Sequence, residues 1–127
     1  MSTERTLYDV GDALPVMLKA FTNRACALPK TNNAYKEPTP EEVKTLIKLA
    51  GWSQTDTAKL TGVSFNPKKG STTVRRWQTA KEKPEYRVIP YAAWRLMLIS
   101  AGVVDQEEAL KEIGLSYKDG QSINSSK

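Results

Sequence analysis

The chain reads as all-α, a small helical bundle. Three observations predict this. Apolar residues recur at helical spacing in two segments, Val43, Leu46, Ile47 and Ala50, then Ala93, Trp94, Met97, Leu98 and Ala101. Start and stop signals for helices come in ordered pairs, Thr39-Pro40 with Gly51 and Ser53 with Gly62. No segment alternates with the two-residue period of a half-buried strand. At 127 residues the chain fits one compact domain.

Taken in order, Asp12 is expected to cap a first helix whose apolar residues fall at Leu14, Met17, Leu18 and Phe21, with Pro15 tolerated in its first turn. Leu28 to Pro38 is rich in Pro, Asn, Lys and Thr and reads as a loop. Thr39 caps the next helix, Pro40 opens it, and Glu41 and Glu42 complement the positive end of its dipole. Ser53 caps a helix from Gln54 to Leu60. A turn-forming run, Ser64 to Gly70, precedes a short helix from Ser71 to about Ala80. Lys81 to Arg87, with Pro84, is a loop. A helix then runs from near Pro90 to Gly102. Asp105 and Glu108 have capping-box spacing and open a last helix through Ile113, closed by Gly114. The expected division is 1–36 as N-terminal helix and linker, 37–117 as the main domain, and 118–127 as a polar disordered tail.

Composition narrows the function. No run is long and apolar enough to span a membrane, and Met1-Ser-Thr-Glu-Arg5 has no apolar signal core behind it, so a cytoplasmic protein with no membrane partner is expected. Cys26 is the single cysteine, which permits no internal disulfide and suits a structural role. Without histidine there is no common general base, and no Cys/His zinc site can be assembled. No Gly-rich phosphate loop or paired carboxylates in an apolar setting stand out, so neither an enzyme nor a cofactor is expected. Net charge is +5, and its distribution matters more: from Thr57 to Lys81 there is no acid, only Lys59, Lys68, Lys69, Arg75, Arg76 and Lys81. A cationic surface of this kind suits a polyanion, or is simply a solvated face.

Two helices turned through Gly62, the second short and basic, suggest a helix-turn-helix. At about 100° per residue, Val74 and Trp77 share a buried side, and Thr72, Arg75, Arg76 and Thr79 face outward. Arginine can pair bidentately with guanine, and threonine can meet base edges or a thymine methyl. Gln54, at an exposed helix N-terminus, can direct its amide at a phosphate.

The run Gly51-Trp-Ser-Gln-Thr-Asp-Thr-Ala-Lys-Leu-Thr-Gly-Val-Ser64, with Thr73-Val-Arg-Arg-Trp77, resembles the lambda-repressor/Cro-like (Xre) helix-turn-helix family. Ser53, Gln54, Ala58, Gly62, Val63, Ser64, Thr73, Val74, Arg76 and Trp77 fall on its pattern. The resemblance covers roughly Thr39 to Ala101. It implies that Ser71 and Thr72 stand at the base-facing end of the reading helix and Arg76 nearer the phosphates. The candidate DNA contacts are Gln54, Thr55, Lys68, Lys69, Ser71, Thr72, Thr73, Arg75, Arg76 and Thr79, with Thr72 and Arg75 for bases and Gln54 and Arg76 for the backbone. The chain departs from the pattern in six extra residues, Phe65 to Gly70, which extend the turn before the reading helix. Their lysines are read as a basic finger along the phosphates, against the alternative of an inert surface loop. Val88 to Gly102 resembles the helix that follows this motif in small DNA-binding proteins of phages, plasmids and conjugative elements; Tyr91 and Trp94 are expected in the core.

The leading expectation is a sequence-specific binder of double-stranded DNA that regulates transcription on a mobile element, as a homodimer or cooperatively. The first helix and the last, with Leu110 and Ile113, are candidate dimer surfaces, against the favoured alternative that their apolar stripes only close the monomer's core. The alternatives are an architectural accessory of conjugation or recombination, and a protein-interaction module on the same fold.

Overall fold

A computed structural model describes residues 13–115. Among them are five α-helices: α1 (Pro40–Ala50), α2 (Gln54–Thr61), α3 (Thr72–Trp77), α4 (Tyr91–Ser100) and α5 (Gln106–Glu112). Two short 3-10 segments, Leu18–Asn23 and Ala25–Ala27, precede them. The only β pairing among the described residues is one isolated bridge between Asn66 and Gly70. The bundle is therefore all-α, as its periodicity predicts.

The helix starts follow their caps. Thr39 accepts from the Glu42 N–H while the Glu42 carboxylate accepts from the Thr39 N–H, a closed capping box in front of α1. Ser53 and Asp56 close a second box in front of α2 at 2.9 Å in each direction. At Asp105 only half of the expected box forms: its side chain accepts from the Glu108 N–H. Gly62 ends α2 at φ +83, a left-handed conformation that a side chain disfavours.

The N-terminal segment differs from expectation. Asp12 lies outside the described residues, and the α-helix expected behind it is replaced by the two 3-10 segments. Of its four apolar residues only Phe21 is buried, while Leu14 and Met17 are exposed. The end of the segment is tied to α4 through two carbonyls. The Trp94 indole N–H donates to the Cys26 carbonyl at 2.8 Å, and Arg95 donates to the Ala27 carbonyl at 2.9 Å. Both carbonyls lie at the C-terminal end of the segment, where it meets α4. Phe21 meets Trp94 edge-on, with ring centroids 6.3 Å apart.

The core is one cluster. α1 supplies Val43, Leu46 and Ile47, α2 supplies Ala58, α3 supplies Val74 and Trp77, and α4 supplies Trp94, Met97 and Leu98. Ala93 and Ala101, expected in the core, are only partly buried. Tyr91 is half-buried, its hydroxyl accepting from the Lys30 N–H at 2.9 Å. α5 buries none of its residues.

Beside the core stands a buried ion pair. Arg24 donates through Nε to Glu42 at 2.6 Å, with both side chains about nine-tenths buried. Glu42 thus serves a cap and a salt bridge at once. The adjacent Cys26 is buried, and its thiol is pushed far up, first by desolvation and then by the Glu42 charge and hydrogen bond. Such a thiol packs rather than reacts. Among the described residues no helix is long and apolar enough to cross a membrane.

Candidate nucleic-acid interface

α3 is held from both ends. At its start Ser71 is fully buried; its hydroxyl accepts from the Val74 N–H and donates to the Ser64 carbonyl at 2.8 Å. At its end the carbonyls of the last turn find side-chain and loop donors. Gln78 reaches Val74, Thr79 reaches Arg75, and the Arg87 N–H reaches Arg76. Those donors stop α3 at Trp77, three residues short of the sequence expectation. Val74 and Trp77 anchor it in the core.

The opposite side of α3 is polar. Thr72 and Arg75 are exposed, Thr73 and Arg76 half-buried, and Thr79 lies past the helix end. The Gln54 side chain, at the start of α2, accepts the Ser71 N–H through Oε1 at 2.9 Å. That bond ties the two helices together and engages the oxygen, leaving the amide N–H groups as its donors. Thr55 beside it is half-buried.

The six-residue insertion is ordered by its own hydrogen bonds. Asn66 and Gly70 exchange backbone bonds of 2.7 and 2.9 Å. Asn66 Oδ1 accepts from the N–H groups of both Lys68 and Lys69, at 2.9 and 3.0 Å. This is an Asx turn at the tip of a miniature hairpin. Gly70 has φ +96, and a Cβ there would come within 2.4 Å of Gln54 Oε1. The positive φ selects glycine here; the Gln54 amide is the end of a flexible side chain and could shift, giving up its bond to Ser71. Lys59 lies over the Phe65 ring, 5.7 Å from its centroid.

Between hairpin and helix lies an open groove of about 330 Å³, whose lining includes Phe65, Asn66, Lys69, Thr72 and Arg75. No acidic residue among the described residues lines it. Asp56, the last acid before this basic stretch, is engaged by Ser53. Hydrogen bonds from the Ser53 N–H and hydroxyl, and then the Lys59 charge, hold its carboxyl below the ordinary range.

Of the residues singled out in the sequence, Lys69, Thr72, Thr73 and Arg75 line one groove. Gln54 and Ser71 form its supporting joint. Lys68 is exposed at the hairpin tip outside the lining, and Thr79 sits at the far end of α3. Residue-by-residue reading assigned no role to Asn66, Phe65 or Gly70. The signal was present: Asn-Pro-Lys-Lys-Gly is turn chemistry, with asparagine where its side chain can bond two residues on and glycine where φ is positive.

No family model matches the chain. Two Escherichia coli proteins, each described as transcriptional repressor protein KorC, are similar to it. One is 36% identical over 74 residues, covering 58% of this chain and 78% of the relative. The other is 36% identical over 67 residues, covering 53% of this chain and 69% of the relative.

Proposed function

This chain belongs to the family of the KorC transcriptional repressors, and from that premise we propose that it represses transcription by binding double-stranded DNA through α2, α3 and the hairpin between them. Its role is regulatory rather than catalytic. We read the motif as a Cro-like helix-turn-helix within a DNA-binding domain at 37–117, serving a mobile genetic element. One observation carries the reading. A helix anchored by Val74 and Trp77 presents Thr72 and Arg75 beside two hairpin lysines, in a stretch free of acids.

Roles divide along that face. Thr72 and Arg75 meet base edges in the major groove. Arg76, the Gln54 amide N–H groups and Lys69 meet phosphates, which fix register without reading sequence, and Lys68 adds positive charge beside them. Thr55, Thr73 and Thr79 flank these contacts. Ser71 serves by holding the helix, because both its bonds are internal and its side chain is buried. A six-residue helix is only about 9 Å long and reads few base pairs. Two copies on half-sites about 10 base pairs apart, or a multiple of that, supply the missing specificity.

Selection of bound duplexes from a random pool tests this. A recurring sequence, with two half-sites at helical spacing, is the expected result. Retention of all duplexes alike, or of none, would refute sequence-specific repression.

A further inference from the structure

The insertion at 65–70 is closed at three levels. At its neck the Ser71 hydroxyl donates to the Ser64 carbonyl. In its stem Asn66 and Gly70 pair as an isolated bridge. At its tip Asn66 Oδ1 holds the N–H groups of Lys68 and Lys69. A loop so closed presents its tip in one geometry, and binding then costs little loop ordering. Its two lysines are not equivalent. Lys69 lines the groove together with Thr72 and Arg75, whereas Lys68 stands outside it.

That groove has the chemistry of an anion seat. A cation on the hairpin side faces a hydroxyl and a cation on the helix side, with no carboxylate in the lining. Phe65, partly exposed, offers an apolar wall against which a sugar can pack. The volume, about 330 Å³, admits a phosphodiester link, and the groove is open to solvent as a continuous polymer requires.

We infer that the hairpin is a preformed clamp seating one DNA backbone phosphate between Lys69 and α3, with Asn66 as its positioning residue and Lys68 outside the seat. This rests on the DNA-binding reading above. The phosphate held at the groove mouth fixes how far Arg75 extends toward the base edges. Asn66 touches no DNA and acts through the backbone of Lys69.

The test uses the full chain and a duplex enriched from the random pool, with affinities measured at 50 and 200 mM salt. Each lost phosphate contact should narrow the ratio between the two affinities by about three- to fourfold. Lys69→Ala is expected to show that full narrowing, and Lys68→Ala less than half of it. Asn66→Ala should weaken binding several-fold in the parent chain and have no further effect in a Lys69→Ala background. Asn66→Ser, whose hydroxyl forms the same turn more weakly, should recover part of the loss. A thermal melt alongside each titration identifies any folding defect. Equal effects of Lys68→Ala and Lys69→Ala would overturn the seat. An Asn66→Ala loss that persists undiminished without Lys69 would overturn the positioning role. Tight, salt-sensitive binding in either case leaves the repressor reading standing, while a parent chain that binds no DNA removes both.

Discussion

Ser71→Ala separates two roles that one residue can play at the head of a reading helix. The family resemblance puts this position at the base-facing end, where a hydroxyl would touch DNA. The structure buries it completely and commits both functions of its hydroxyl, as acceptor from Val74 N–H and donor to the Ser64 carbonyl. Removing a serine cap costs about 1 kcal/mol, within a range of roughly 0.5–2. The Ser64 carbonyl also loses its donor, but Ser64 is exposed and water can replace the hydroxyl, so this adds only about a few tenths of a kcal/mol. The sum is about 1–2 kcal/mol, and for a domain of this size the melting temperature falls by roughly 4–10 °C.

Binding should respond differently. If Ser71 contacts no DNA, the alanine variant keeps every phosphate contact, and its affinity has the parent's salt dependence at temperatures well below the melt. Any loss of affinity then reflects a frayed α3 and should shrink on cooling. Differential scanning fluorimetry and fluorescence anisotropy at two salt concentrations measure the two quantities. A variant that melts like the parent yet binds several-fold more weakly would refute the capping argument and return Ser71 to the contact surface.

Three further outcomes follow from the same structure. Arg75→Ala should cost roughly 1–3 kcal/mol on the preferred duplex and relax preference at one base position, whereas equal loss on specific and random DNA would make Arg75 a phosphate contact. Glu42→Ala removes the Arg24 partner and half of the α1 capping box together, so urea unfolding should report a loss of about 3 kcal/mol; Arg24→Ala added to it should cost much less than alone, and strict additivity would deny the coupling. Asp56 has a folded carboxyl held below its ordinary value of 3.8 by Ser53 and Lys59, so its contribution is complete above that range and is lost as pH falls through the lowered folded value. Asp56→Asn should therefore flatten the acid limb of stability against pH, and an unchanged limb would count against the Ser53–Asp56 box.

The legible parts of this chain are those in which one local rule decides the outcome. Thr39-Pro40-Glu-Glu42 opens α1 because cap, proline and acids agree, and Gly51 and Gly62 close their helices because positive φ excludes most other residues. Val74 and Trp77 were legible as an anchor because only one side of a short helix can face the core. The N-terminal segment misled because Leu14, Met17, Leu18 and Phe21 have helical spacing, and spacing alone does not report that only Phe21 enters the core. The segment's fixed points are tertiary: Trp94 and Arg95, nearly seventy residues away, donate to the Cys26 and Ala27 carbonyls at its end. Asn66 was hidden for a similar reason. Its role depends on the pairing of Asn66 with Gly70 and on the space Gln54 leaves beside that glycine, both properties of three-dimensional proximity.

The hairpin also shows how the connection between two helices can lengthen without losing its geometry. Six added residues before α3 would, as a free loop, leave the start of the helix undefined. Here the added chain departs and returns at two residues already joined, Ser64 and Ser71, through a single hydroxyl bond. Gln54 fixes the same point from α2 by taking the Ser71 N–H. The helix start is therefore determined by α2 and the neck, and the hairpin can vary in length or charge beyond them. Once Ser64, Gln54 and Ser71 form that joint, the outer residues are free to acquire a task of their own. An exposed lysine on a closed loop can then add positive charge beside α3 without disturbing the start of the helix.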